Sequence, residues 1–449
     1  MEIENETKKE YFELLGFESV GSDPARLRDC VQCAVWLEKW LERIGFKAEL
    51  LSPDIKDGKA APPVLFAERP GDEGAARVLY YGHYDVQPPD PLDEWETPPF
   101  TPTERDARVY CRGAQDDKGQ LFAFLCGIRD FLAKPGPKPT IKIVLEGQEE
   151  SGSGALAEMA AGMRRRLAAD VMLVCDTNAA EDLRPAIVAG LRGVSHFTIR
   201  LTGADRDLHS GEYGGLAPNV AQGMAALVAS LHAADGSIAV EGFRAGIEPP
   251  HPDELRLAES FSKSPADYEA EIGCSPAGGQ KGLSPAQRLS FEPTIEVNGL
   301  HSGYGGPGAK TVISREAIAK ISMRLVPGQS PAAAFAAVKK HLEERVPEGT
   351  SLSFDEFSPG AGGFRLPVSS PLFRLAAHVL EEMDGRTPAF VWSGASIPVV
   401  SVLREASGAA PLIVGWGQPE DRIHSPNESY SLRQFAKARE WAVAILSAL

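Results

Sequence analysis

The chain has 449 residues, with 46 Lys and Arg against 62 Asp and Glu and a formal net charge of −16. That length exceeds one ordinary hydrophobic core, so two domains are expected. The acidic balance excludes nucleic acid and an anionic membrane surface as natural partners. The N-terminal MEIENETKKEYFELLGF has no basic start followed by an apolar run, so no secretory signal is read there. No apolar stretch approaches the roughly 20 residues that span a bilayer. Six sparse cysteines suit a reducing cytoplasm. Cys30 and Cys33 form a CxxC inside a helical pattern with no second pair at zinc-finger spacing, which points to helix packing.

The first helix is predicted from about Pro24 to Ile44, ending at Gly45. Strand-like and helix-like segments then alternate: ARVLYYG (76–82), KGQLFAFLCGIRDFLA (118–133), TIKIVLEG (140–147), ALAEMAAGMRRRLAA (155–169) and VMLVCDT (171–177). Strand–helix–strand alternation predicts an α/β fold, a mostly parallel sheet flanked by helices. Near Leu191 the pattern changes. VSHFTIRLTG (194–203) alternates as a sheet with one solvated face does. A helix at about 219–234, loops with short helices over 242–292, strands TIEVNGL, AIAKISMRLVP and SLSFDEF, and a helix at 331–346 predict an inserted α+β domain with an antiparallel sheet. GAGGF (360–364) reads as the return linker. A helix at 370–383, a buried segment at 396–403, a strand at 411–417 and a helix at 431–447 resume the α/β pattern. The expected organisation is therefore 1–190 and 364–449 as one domain and 191–363 as the insertion.

Chemistry-bearing residues follow the strands, where ligand sites of open α/β sheets lie. His83 follows ARVLYYG, and Asp85 stands two residues on, able to orient its ring if the chain is extended. Asp116 and Asp117 open the helix at 118, between Gly113 and Gly119. Glu149 and Glu150 follow TIKIVLEG, and such neighbours can divide metal binding and water activation between them. Asp176 ends VMLVCD, and His424 follows PLIVGWG. Each alone has a plain structural explanation: a packed histidine, helix capping, a solvated acidic pair, a turn former, a surface-loop histidine. Together they form a set of nitrogen and oxygen donors suited to Zn²⁺, Mn²⁺ or Co²⁺.

Seven segments resemble the M20 family of metallopeptidases and stand in that family's order: GHYDVQP (82–88), YCRGAQDDKG (110–119), EGQEESGS (146–153), VCDTN (174–178), DLHSGEYGG (207–215), GAKTVISREAIAKISMRLVPGQ (308–329) and GWGQPEDRIHSPNES (415–429). The resemblance implies two divalent metal ions per subunit, zinc or manganese. It gives His83 and Asp176 to one, Glu150 and His424 to the other, and Asp116 to both. Asp85 would support His83, and Glu149 would be the general base. The insertion would be a lid and dimerisation domain, making the protein a homodimer. His209 would reach the partner subunit's site to stabilise the oxyanion, and Arg324 would pair with the substrate carboxylate. Asn219, Thr311 and the backbone around Gly394–Ser396 are further candidates for substrate contact. The long 242–292 region leans toward the dipeptidase and carnosinase branch, so a cytoplasmic exopeptidase on dipeptides or short peptides is expected. An N-acyl amino acid deacylase or carbamoylase, or a catalytically silent binding protein, are the alternatives.

Overall fold

The computed structural model describes residues 3–53, 60–394 and 396–449. Its residues group into two compact units, Met1–Ala189 with Leu366–Val391 and Val399–Leu449, and Gly190–Arg365 with Trp392–Pro398.

The first unit is built on a sheet whose strands run in the order Lys47–Leu51, Val64–Arg69, Thr140–Glu146, Arg77–His83, Val171–Val174, Ala410–Gly415 and Ala186–Leu191. The four central strands are parallel, and the flanking ones pair antiparallel. Arg77–His83 sits between Thr140–Glu146 and Val171–Val174 and is buried from Val78 onward. Its continuous apolar run is what a strand covered on both faces requires. The helix Lys118–Ala133 is buried along nearly its whole length, and Tyr80 of the central strand stacks on its Phe124 at 4.2 Å between ring centroids. Because the central strands are parallel, His83, Glu146 and the residues just beyond Val174 and Gly415 all emerge at the same end of the sheet.

Several elements depart from the sequence expectation. A helix at Asn5–Leu15 precedes the one placed at 24–44, burying Tyr11, Leu14 and Leu15 behind an otherwise polar surface. The expected first helix is a short 3-10 turn, Pro24–Arg26, followed by Leu27–Arg43. Cys30 and Cys33 are buried on that helix, and burial pushes the Cys30 thiol up to about 12, consistent with packing. The helix expected over 155–169 divides into Gly154–Ala160 and Arg164–Leu167, broken around Gly162, a poor helix former. The buried segment at 396–403 lies mostly in the helix Pro398–Ser407. Among the described residues no helix is long and apolar enough to cross a membrane.

The second unit carries an antiparallel sheet in the order Thr294–Ser302, Glu316–Leu325, Gly193–Thr202, Ser351–Ala361. Phe197, Ile199 and Leu201 alternate toward a core shared with Ile321, Met323 and the helices Val220–Ala229 and Pro331–Glu343, through Met224, Leu227, Val338 and Leu342. The chain enters and leaves this unit side by side, with Leu191 paired to Phe364 and Gly190 to Arg365. There the backbones touch: a Cβ on Gly193 would lie 2.4 Å from the Ala361 carbonyl oxygen, and one on Gly363 2.9 Å from that of Leu191. The GAGGF stretch is glycine-rich because two strands cross with no room for side chains.

Candidate active site

The strand ends of the first unit bring six acidic and imidazole groups into two adjoining clusters. In one, ligand-capable atoms of His83, Asp117 and Asp176 lie within 4.8 Å of one another; in the other, those of Asp116, Glu150 and His424 do. Asp116 stands at the junction. Its Oδ1 is 3.2 Å from His83 Nε2 and its Oδ2 is 2.9 Å from His424 Nε2. Asp176 Oδ2 lies 3.7 Å from His83 Nε2, and Glu150 Oε2 lies 3.3 Å from His424 Nε2.

Local structure holds each group. His83 ends its strand fully buried, with Nδ1 3.1 Å from the Asp85 carbonyl oxygen and 3.3 Å from Asp85 Oδ1. The Asp85 carboxylate also accepts the Glu149 and Glu150 main-chain N–H groups, each at 3.2 Å. One buried aspartate therefore fixes both the His83 ring and the turn that presents the two glutamates. The Gln87 amide, which the sequence reading left without a role, donates to Glu150 Oε2 at 2.7 Å. Asp117 does not cap the helix it precedes; its Oδ2 accepts the His83 N–H at 3.2 Å. The flanking glycines are sterically required. Gly113 has φ +80°, and a Cβ on Gly119 would lie 1.9 Å from the Ala114 carbonyl oxygen.

Burial and mutual repulsion dominate the electrostatics. Burial, reinforced by Asp176, Glu150 and Asp116, pushes the Glu149 carboxyl up to about 8 against the pull of His83. Burial likewise raises Asp176 to about 7. Burial also opposes the ionisation of Asp116, but contact with His424 and His83 holds its carboxylate well below the usual range. Contact with Asp116 and Glu150 lifts His424 to about 10.

Divalent ions fit these donors. His83 Nε2, Glu150 Oε1 and Asp117 Oδ1 are buried and lack hydrogen-bond partners among the described residues. Unsatisfied buried acceptors are costly, and a cation is the partner that imidazole and carboxylate share. The mixture of nitrogen and oxygen ligands matches Zn²⁺ or Mn²⁺ chemistry.

The remaining expected residues belong to the second unit, where four of them form two pairs. His209, on the short strand Leu208–His209, accepts the Gly211 N–H at Nδ1 (3.0 Å) and brings Nε2 to 3.4 Å from Thr311 Oγ1. Arg324 donates from Nη1 to Ser396 Oγ at 2.9 Å. Ala395, within the stretch around Gly394–Ser396, lies outside the described residues. Asn219 is the N-cap of the helix Val220–Ala229, its side chain accepting the Ala221 and Gln222 N–H groups. The sequence reading missed Arg192, a buried guanidinium that donates to the Gly394 and Glu292 carbonyl oxygens. Burial, then the neighbouring Arg324 charge, lowers it to about 10. It also missed Glu428, fully buried against Arg112 at 2.8 Å. Removing one partner from such a buried pair costs about 3–5 kcal/mol. No periodicity marks either residue, because each acts on main-chain groups distant in sequence.

Nitrogen and oxygen donors thus gather beyond the ends of parallel strands in two groups that could each hold a metal ion. The model of "Peptidase family M20/M25/M40" matches residues 79–448, and the chain belongs to that family. It is therefore a peptidase, a hydrolase of the metal-dependent kind. The human protein named Beta-Ala-His dipeptidase is 29% identical over 398 residues, spanning 86% of this chain and 78% of its own. The Schizosaccharomyces pombe Cys-Gly metallodipeptidase dug1 is 29% identical over 435 residues, spanning 93% of this chain and 90% of its own. Among solved structures, the M20 family metallo-carboxypeptidase Sso-CP2 from Sulfolobus solfataricus superposes with a TM-score of 0.83 at 27% identity, covering 99% of both chains.

If these clusters hold ions, Zn²⁺ or Mn²⁺ should raise the melting temperature of the metal-stripped protein. At about 100 times Kd the stabilisation is about 2.7 kcal/mol. Asp116→Ala should lose most of that rise in a thermal-shift titration; an unchanged rise would mean that the ions bind elsewhere.

Proposed function

We propose that the chain is an exopeptidase that hydrolyses dipeptides or short peptides at a site holding two divalent ions, zinc or manganese, with Glu149 as general base. The observation that carries this reading is Asp116, whose two carboxylate oxygens face His83 and His424 separately. Asp116 is thus the group able to bridge, with His83 and Asp176 on one side and Glu150 and His424 on the other. The relatives named for Beta-Ala-His and Cys-Gly dipeptides support the substrate class.

When bound, the ions would polarise the scissile carbonyl and make water acidic enough to be a nucleophile near neutral pH. Glu149 then accepts a proton at its carboxylate from the attacking water and passes it to the leaving nitrogen. Its half-buried setting beside the ligands suits a group that must change protonation within one turnover. Asp85 keeps the imidazole of His83 and the Glu149–Glu150 turn in register.

The second unit supplies recognition. Because His209 Nδ1 accepts the Gly211 N–H, the neutral ring carries its proton on Nε2, ready to donate to a developing oxyanion in the partner subunit's site of a homodimer. Arg324 receives the substrate carboxylate, steadied by Ser396. Thr311 lies beside the His209 ring as a further substrate contact, and Asn219 shapes the same unit through its helix cap. The enzyme works in the cytoplasm in this reading, consistent with six unpaired cysteines.

Glu149→Ala should lower peptide hydrolysis by ~10²–10⁴-fold while retaining fold and metal content. Near-wild-type turnover in that variant would sink the mechanism. Mixing Glu149→Ala with His209→Ala protein should recover activity absent from either alone, since a mixed dimer holds one complete site. Silence after demonstrated subunit exchange would count against a shared site.

A further inference from the structure

Glu428 lies four residues beyond His424 and is completely buried. Its carboxylate accepts four hydrogen bonds, all from the segment that ends in Asp116. Oε2 takes the Arg112 guanidinium at 2.8 Å and the Gly113 N–H at 2.9 Å; Oε1 takes the Gln115 N–H at 3.0 Å and the Asp116 N–H at 3.1 Å. The Glu428 carbonyl oxygen accepts the Cys111 N–H at 3.0 Å, so main chain and side chain clamp one loop. On the same short segment Asn427 grips a second loop, accepting from the Glu96 N–H and donating to the Glu94 carbonyl oxygen.

All four partners of the carboxylate are donors, and an ionised carboxylate offers about four acceptor positions. A glutamine would turn its NH₂ toward two N–H groups, and an aspartate would stop one methylene short. We propose that Glu428 is a positioning residue for the metal-bridging carboxylate. By pinning the Asp116 main chain to the segment that carries His424, it sets the spacing of the two metal positions. This inference rests on the two-metal reading above. The same His424–Glu428 stretch thereby contributes a ligand and regulates where the opposing ligand stands. Ligand-supporting groups of this kind typically govern metal affinity by about 10–100-fold.

The test compares Glu428→Asp and Glu428→Gln with wild type. Zn²⁺ affinity is read by competition with a chromophoric chelator, and the fold of the metal-free protein by circular dichroism and melting temperature. Asp130→Asn, which breaks a remote pair with Arg439, shows what lost stability alone does to affinity. The expected result is a folded Glu428→Asp protein binding Zn²⁺ about 10–100-fold more weakly, with Asp130→Asn binding as wild type does. Should Glu428→Gln not fold, Glu428→Asp decides. Wild-type affinity in a folded Glu428→Asp protein, an equal loss in Asp130→Asn, or failure of both Glu428 variants to fold would each overturn the positioning role. Absence of Zn²⁺ binding by wild type would instead refute the two-metal reading.

Discussion

Everything at the strand ends of the first unit depends on one electrostatic constraint: Asp116, Asp117, Glu149, Glu150 and Asp176 crowd around two imidazoles in a space that buries His83, Asp116 and Asp117 and leaves His424 exposed. In a low effective dielectric, like charges a few ångströms apart cannot all remain ionised without compensation. Without metal, proton uptake by the imidazoles answers part of it: the carboxylates beside His83 drive its ring well above its ordinary range although burial opposes this. A bound divalent cation would take the place of those protons, since a ring nitrogen must be free of its proton to be a ligand. The scaffold sustains this conflict because the ligands are fixed from behind, Asp85 holding one side and Glu428 the other.

The parallel sheet makes the convergence possible. His83 and His424, far apart in sequence, converge on the two oxygens of Asp116 because their strands point the same way. That geometry was legible in the sequence. Short apolar runs ending in His83, Glu146 and Asp176 announced strands with chemistry at their carboxyl ends, and the antiparallel insertion showed itself by a change of period near Leu191. Individual roles were not legible from spacing. Asp117 could have capped a helix, and the structure gives its carboxylate to the His83 N–H instead. In the reading proposed above, it is the family resemblance that gives the bridging role to Asp116 rather than Asp117 and the base role to Glu149 rather than Glu150.

What escaped the sequence shares one physical character. Glu428, Gln87 and Arg192 bind main-chain groups or ligand side chains from remote segments, so hydrophobic period does not mark them, and the motifs that contain Gln87 and Glu428 say nothing of what they hold. The helix Asn5–Leu15 escaped because only Thr7, Tyr11, Leu14 and Leu15 of its residues are buried, a stripe easily lost among charges. The edge strand Lys47–Leu51 was hidden by its short length and half-exposed pattern. Asn219 illustrates the opposite case, a residue whose local capping geometry accounts for its presence before any substrate is invoked.

In the proposed function this scaffold cleaves the amide of a small peptide. A peptide and an N-acyl amino acid share the scissile amide and the carboxylate that Arg324 would receive; they differ on the acyl side, where only a dipeptide brings an amino group. The direct measurement is hydrolysis of a panel of dipeptides, β-Ala-His and Cys-Gly among them, against N-acetyl, N-succinyl and N-carbamoyl amino acids, each with Zn²⁺ and with Mn²⁺. Dipeptides should be turned over with the higher kcat/KM. A clear preference for an acyl or carbamoyl substrate, or no hydrolysis of any member by the metal-loaded protein, would rule out a dipeptidase.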